Sequence, residues 1–180
     1  MPASTPAPAA GRPTPESPTS RLLRASFATE EAVYGVILVA GLIAVSGVHG
    51  ATSFTVFATV MITVVVFWLA HLYAGTVAGH GLAHDRIVGI RESFRAAFRR
   101  SLGLLLSALI PSSILLLGTA RVIDDRATIW VALWTCVAVL AVLGFIAFQR
   151  RGAPWPIRVL GSLTTAAFGV VIIVAKALIH

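Results

Sequence analysis

The chain has 180 residues, of which 57% are hydrophobic and only 12% are charged, and its mean hydropathy is +0.90. Soluble domains carry roughly a quarter of charged residues, so this composition excludes an ordinary soluble domain and indicates an integral membrane protein. In a soluble protein the net charge of +7 would suggest a nucleic-acid partner. Here the basic residues lie in loops between apolar runs, so no nucleic-acid partner is expected.

The first part of the chain is rich in proline, alanine, serine and threonine. Such a segment cannot bury enough apolar surface to offset the conformational entropy that ordering would remove. We therefore predict a disordered, proline-rich cytoplasmic tail over residues 1–28, followed by a membrane domain over residues 29–180.

Five apolar runs are long enough to cross a bilayer, which takes roughly 20 residues of helix. They cover about 31–48, 54–78, 102–120, 128–148 and 157–178. The prediction is an all-α, polytopic bundle of five transmembrane helices, with a kink at Pro111 in the third. Small residues in the first run favour close helix contacts within the chain or between copies. A homo-oligomer or a membrane-protein partner therefore stays open.

The basic residues are unevenly divided between the two sides that five spans create. With a cytoplasmic N-terminus, 11 of the 14 basic residues face the cytoplasm and 3 face the outside. Because lysine and arginine concentrate on the cytoplasmic side, this predicts a cytoplasmic N-terminus and an external C-terminus. The near-exclusive use of arginine, with abundant alanine and valine, is typical of a GC-rich bacterial genome. The expected location is the bacterial plasma membrane.

The loop between the second and third runs is the largest cytoplasmic feature. Apolar residues recur there at helical spacing, beside the basic residues Arg91, Arg95, Arg99 and Arg100. This pattern predicts a basic amphipathic segment over residues 86–100 that lies on the inner leaflet, its arginines contacting anionic lipid headgroups. The alternative is a target of calmodulin type or a nucleic-acid target.

Ionisable residues within membrane spans are functional candidates by default. If the first two runs form a tight hairpin around residue 51, Glu31 and His71 lie at equal depth and could pair. Thr59 and Thr63 lie on the same face of the second run as His71, four residues apart. These four residues could line a polar path for a proton or small cation. Alternatively, Glu31 lies in a first helical turn, where the helix dipole favours anions, and the threonines only make helix contacts.

The other polar residues point to no chemistry. His80 and His84 would share a helix face, but glycines beside His80 weaken a helix and no HExxH glutamate is present, so no metal is expected. No catalytic motif occurs, which predicts no enzyme activity and no cofactor. Lys176 is interpreted as an anchor that reaches the outer surface. Asp124 and Asp125 are interpreted as part of a solvated charge cluster.

Three segments carry a resemblance to a group of proteins. They are EEAVYG at 30–35, FWLAHLYAG at 67–75 and the closing RVLGSLTTAAFGVVIIVAKALIH. Residues 30–180 resemble small predicted integral membrane proteins of actinobacteria, which implies a bacterial plasma-membrane location and carries over no functional residue. Taken together, the sequence predicts a non-enzymatic scaffold or accessory membrane subunit. The alternative is a small proton- or cation-coupled transporter or channel using Glu31 and His71.

Overall fold

The structure, a computed structural model, describes the backbone of residues 18–47, 51–83 and 86–179 and the side chains of 30–47, 51–81 and 89–178. It contains five helices: α1 (Pro18–Ser46), α2 (Ser53–Gly79), α3 (Ile90–Thr119), α4 (Asp125–Arg150) and α5 (Trp155–Ile179). Between α2 and α3, strands β1 (Gly81–Ala83) and β2 (Arg86–Val88) form an antiparallel hairpin, which was not predicted. Apart from this hairpin the described elements are helices, so the all-α prediction is confirmed.

Successive helices run in opposite directions. The α2–α3 pair is aligned by the close approach of Gly75 to Ala97 and of Gly79 to Ser93. The α4–α5 pair is joined across its middle by a hydrogen bond from the Ser162 hydroxyl to the carbonyl of Ala141, at 2.8 Å. One end of the bundle therefore gathers the beginnings of α1, α3 and α5 and the last turns of α2 and α4. We call it the arginine-rich end, after its residues Arg91, Arg95, Arg99, Arg100, Arg150, Arg151 and Arg158.

The centre of the bundle is occupied by α1, which contacts all four other helices. Its residues Val36, Val39 and Ile43 are fully buried, and buried residues of α2, α3 and α4 pack around them. The outer faces of α2 to α5 expose many large apolar side chains. Outward-facing apolar surface of this kind is expected where helices meet lipid rather than water.

Four helices, namely α2, α3, α4 and α5, are long and apolar enough to cross a membrane. The predicted number of spans, five, is one more than the number of helices that meet this criterion. The apolar stretch of α1 between Glu31 and Ser46 is roughly 21 Å long at 1.5 Å per residue, whereas the hydrocarbon core is about 30 Å thick. The most buried helix is thus also the one with the shortest apolar stretch.

The beginning of α1 differs from the prediction. The helix begins at Pro18, so residues 18–28, predicted as part of a disordered tail, are described as helix, and residues 1–17 lie outside the described residues. Proline suits the first helical position because its missing N–H would have had no partner there. Glu30 and Glu31 therefore lie well inside the helix, and their interpretation as first-turn residues is wrong.

The predicted amphipathic segment is not a separate element. Its residues 86–88 form β2, and from Ile90 onward it is the first part of α3, which continues as helix through the buried Pro111 to Thr119. The 30 residues of α3 span roughly 45 Å, about 15 Å more than the hydrocarbon core. The extra length lies at the arginine-rich end, because the apolar part of α3 follows Ser101.

Both α3 and α4 end in a Schellman motif, in which two backbone N–H groups bond back to the last turn. At the end of α4 the left-handed position is occupied by Gly152, with φ of 70°. At the end of α3 the same position is occupied by Arg121, with φ of 57°. An L-residue with a side chain is less stable than glycine in this conformation.

Candidate functional site at the arginine-rich end

The carboxylate of Glu31 lies on α1 where α1 meets α3. Its side chain is only 8% exposed, and its Oε1 accepts a hydrogen bond from Nε of Arg100 at 2.7 Å. Gly35, one turn further along the same face of α1, lies directly against the backbone of Leu104. This close approach brings the two helices together and buries the carboxylate, while the Arg100 side chain stays 55% exposed.

The second carboxylate oxygen of Glu31 differs from the first in its hydrogen bonding. Oε2 is buried and has no hydrogen-bond partner among the described residues. Most buried polar atoms in proteins are hydrogen-bonded, so an orphaned carboxylate oxygen is a candidate position for a proton or a cation. This is the feature of the described structure that most resembles a binding site.

The predicted pair of Glu31 with His71 is not formed. The ring of His71 packs against Phe67 and Tyr34, with centroid distances of 6.0 Å and 6.5 Å. Tyr34 is one turn from Glu31, so the two predicted partners do lie at similar depth. The carboxylate is bonded to α3 instead, where a permanently charged guanidinium is a stronger partner than an imidazole.

The predicted threonine path lies away from the bundle centre. Thr59 and Thr63 are half-buried on α2, and Phe67 follows them on the same face before His71. Phe67 packs against Tyr34, which is 47% exposed, so this edge of the α1–α2 contact is open to the surroundings of the bundle. An apolar ring therefore interrupts the polar stripe, and the structure does not bring the two threonines together with Glu31.

At the opposite end of the bundle, Lys176 was predicted to be a surface anchor, and this is wrong. Its side chain is buried, and Nζ donates hydrogen bonds to the carbonyls of Ala44 at 3.1 Å and Gly47 at 3.0 Å. Those carbonyls belong to the last turn of α1 and its end, where backbone acceptors have no helical partner. The ammonium therefore caps the central helix, a contact that the α5 sequence alone does not reveal.

Two aspartates at the same end of the bundle accept hydrogen bonds from the first residues of helices. Asp124 accepts hydrogen bonds from the backbone N–H groups of Arg126 and Ala127, so it caps α4. Asp125 accepts from both the backbone N–H, at 2.8 Å, and the hydroxyl of Ser53, the first residue of α2. Both aspartates are exposed, as the prediction of a solvated cluster required, but they also have defined partners.

Of the two histidines considered for metal, His80 lies outside a helix. α2 ends at Gly79, His80 is extended, and β1 begins at Gly81. The side chain of His84 lies outside the described residues. In the part of the chain whose side chains are described, no group of three or more metal-ligating residues occurs.

The four arginines predicted to contact lipid separate into two sets. Arg91, Arg95 and Arg99 are exposed on α3 and fall four residues apart on one stripe of the helix. Arg100 turns toward α1 and bonds Glu31. Sequence reasoning assigned Arg100 to lipid because it could not show that α1 and α3 are parallel neighbours.

No family model, curated protein or solved structure matches the chain. The class of protein is therefore defined by the fold itself: a multi-pass α-helical membrane protein, with four helices that fit the bilayer and a buried carboxylate–arginine contact at one end. The resemblance to actinobacterial membrane proteins stays a prediction.

Proposed function

We propose that the chain is a non-enzymatic scaffold or accessory subunit of a bacterial plasma membrane, acting through helix packing. The observation that carries this proposal is that its buried charged side chains join one helix to another. Glu31 joins α1 to α3, and Lys176 joins α5 to the end of α1. Each of these groups is paired, Glu31 with a guanidinium and Lys176 with backbone carbonyls, and each pairing joins two helices.

The proposed topology has five spans, a cytoplasmic N-terminus and an external C-terminus. In this proposal α1 spans the membrane despite its short apolar stretch, because it packs against all four of the longer apolar helices. The seven arginines of the arginine-rich end support its placement in the cytoplasm. Single cysteines introduced into a Cys136→Ser background, at Arg151 and at Arg121, test the orientation in this proposal. Membrane-impermeant maleimide should label intact cells at residue 121 only, and labelling at residue 151 only would reverse the orientation.

The scaffold proposal requires a membrane complex that depends on this chain. Deletion of the chain should reduce the abundance or the assembled size of one membrane complex on native gels. Both the wild-type chain and the variant Glu31→Gln should restore it, because the proposal gives that carboxylate a packing role only. An unchanged membrane proteome after deletion, together with ion flux by the purified protein, would refute the proposal.

A second candidate, a small proton- or cation-coupled transporter or channel, is favoured by the orphaned Oε2 of Glu31. A buried carboxylate oxygen without a hydrogen bond can take up a proton or coordinate a cation. In this candidate function His71, at similar depth on α2, is the second polar group of the path.

Flux measurements in liposomes separate the two functions. Wild-type protein is compared with Glu31→Gln and His71→Ala, and Glu30→Gln serves as the matched control because Glu30 is the exposed neighbour of Glu31. The transport function predicts proton or cation flux in the wild type and in Glu30→Gln, and its loss in the other two variants. Equal leak in all four proteins would refute it.

A further inference from the structure

The first three turns of α3, residues 90–100, project beyond the apolar part of the helix and contact α2 and, through Arg100, α1. Ser93 and Ala97 face the end of α2, close to Gly79 and Gly75. The remaining surface of these turns is exposed. It has two adjacent stripes: an apolar one formed by Ile90, Phe94 and Phe98, and a basic one formed by Arg91, Arg95 and Arg99.

The basic stripe carries charge that no described side chain pairs. Within the described side chains, none of Arg91, Arg95 and Arg99 forms an ion pair. Three unpaired guanidinium groups on one stripe of about two turns form a strong positive surface, and each offers several N–H donors suited to phosphate oxygens. Such a surface favours an anionic partner.

The apolar stripe places this surface at the boundary of the bilayer. Phe98 packs against Phe94 and, edge to face, against Trp68 of α2, with centroid distances of 6.3 Å and 5.8 Å. Tyr73 of α2 is 73% exposed and lies at nearly the same level along the bundle as Phe98. Aromatic side chains gather where hydrocarbon gives way to headgroups. An arginine stripe directly beside them is therefore at headgroup depth.

From this juxtaposition we infer that the start of α3 is a binding site for an anionic phospholipid. The phosphate lies on the stripe of Arg91, Arg95 and Arg99, and the upper acyl chain lies against Phe98 and Trp68. The occupant is a lipid rather than a soluble polyanion, because the basic stripe adjoins exposed aromatic rings that only an amphipathic ligand would cover.

Trp68 provides an internal reporter for this site, because its ring contacts Phe98, the residue next to Arg99 in α3. A variant in which Trp130, Trp134 and Trp155 are replaced by phenylalanine retains Trp68 as the sole tryptophan. The full-length variant is reconstituted in phosphatidylcholine vesicles, and brominated phosphatidylglycerol or brominated phosphatidylcholine is titrated in. Bromine quenches a nearby indole, so the two titrations give the relative affinity of the two lipids for the site.

Each arginine near a headgroup contributes about fivefold in affinity for anionic lipid at low salt. We expect brominated phosphatidylglycerol to quench Trp68 with at least about fivefold preference. In the triple variant Arg91→Gln/Arg95→Gln/Arg99→Gln the two lipids should quench Trp68 with a ratio of about one, which means no preference. In the starting protein the preference should shrink in high salt, where exposed charges are screened. The matched control, Arg150→Gln/Arg151→Gln, removes arginines from the same end of the bundle but from α4, and should keep the preference.

Equal quenching by the two lipids in the starting protein would overturn the inference, as would a preference that survives loss of the three arginines. If the triple tryptophan replacement does not fold, the difference in quenching between the natural chain and its Trp68→Phe variant gives the same measurement. This test does not depend on the scaffold or transport proposals, because neither uses the three arginines.

Discussion

The ion pair between Glu31 and Arg100 should respond asymmetrically to removal of its two partners. The carboxylate is 8% exposed, whereas the arginine side chain is 55% exposed. The change Glu31→Gln removes the buried charge and leaves a guanidinium that water can still solvate. The change Arg100→Gln leaves a buried carboxylate without its hydrogen-bonded counter-ion, while its second oxygen already lacks a partner.

The loss in the free energy of unfolding for each single variant follows from this difference in burial. Losing one charge-assisted hydrogen bond while the remaining group is solvated should cost about 1 kcal/mol. Stranding a buried charge should cost about 3 kcal/mol. For a domain of this size, 1 kcal/mol corresponds to a shift of about 2–4 °C in the thermal midpoint. We therefore expect Glu31→Gln to lower the midpoint by about 3 °C and Arg100→Gln by about 9 °C.

The assay is thermal unfolding of the purified protein in detergent micelles, followed by circular dichroism for the wild type, both single variants and the double variant. In the double variant no charge is stranded, so its midpoint should lie near that of Glu31→Gln and above that of Arg100→Gln. Glu30→Gln, at the exposed neighbouring position, should change the midpoint by less than about 2 °C. If Glu31→Gln is the more damaging single change, or if the double variant shows the sum of both losses, the burial argument is wrong.

Four further changes test the packing of the bundle by the same unfolding measurement. Lys176→Met keeps the apolar stem but leaves the carbonyls at the end of α1 without a donor, so it should cost about 2 kcal/mol. Gly144→Ala places a Cβ against Thr165 Oγ1 and should lower the free energy of unfolding by about 1–3 kcal/mol, because it separates α4 from α5. In the control Gly41→Ala the added Cβ meets nothing within 4 Å, so this variant should be neutral or stabilising. Arg121→Gly relieves a left-handed backbone and should add about 1 kcal/mol. A destabilised Gly41→Ala, or no gain at position 121, would contradict these assignments.

The membrane-spanning helices could be predicted from the sequence because each of the four that fit a bilayer is a long apolar run. The helix α2, for example, closely matches its predicted run of 54–78. Length and hydropathy are properties of a continuous segment and need no knowledge of its neighbours. The beginnings of α1 and α3 were predicted less well, because a helix that leaves the membrane loses the apolar signal while its backbone hydrogen bonds continue.

The partners of Glu31 and Lys176 could not be predicted in the same way. The sequence reasoning placed Glu31 beside His71 because consecutive spans are the simplest neighbours. The structure pairs it with Arg100, 69 residues away, because α1 lies in the middle of the bundle and also contacts α3. Likewise, the end of α1 receives Lys176 from α5. Charge and depth can be read from the sequence, but which helices are neighbours depends on packing that no local pattern encodes.

The position of these polar contacts also bears on the two functional proposals. Glu31 lies at one end of the apolar stretch of α1, and Lys176 caps the end of the helix beyond the other. Between them Val36, Val39 and Ile43 are fully buried in an apolar core. A proton or cation at Glu31 would have to cross that core to reach the opposite end. The Thr59–Thr63 stripe does not supply the route, because Phe67 interrupts it and its edge faces the surroundings of the bundle. Transport would therefore require a conformational change that opens the centre, whereas a scaffold requires the centre to stay closed, as it is in this structure.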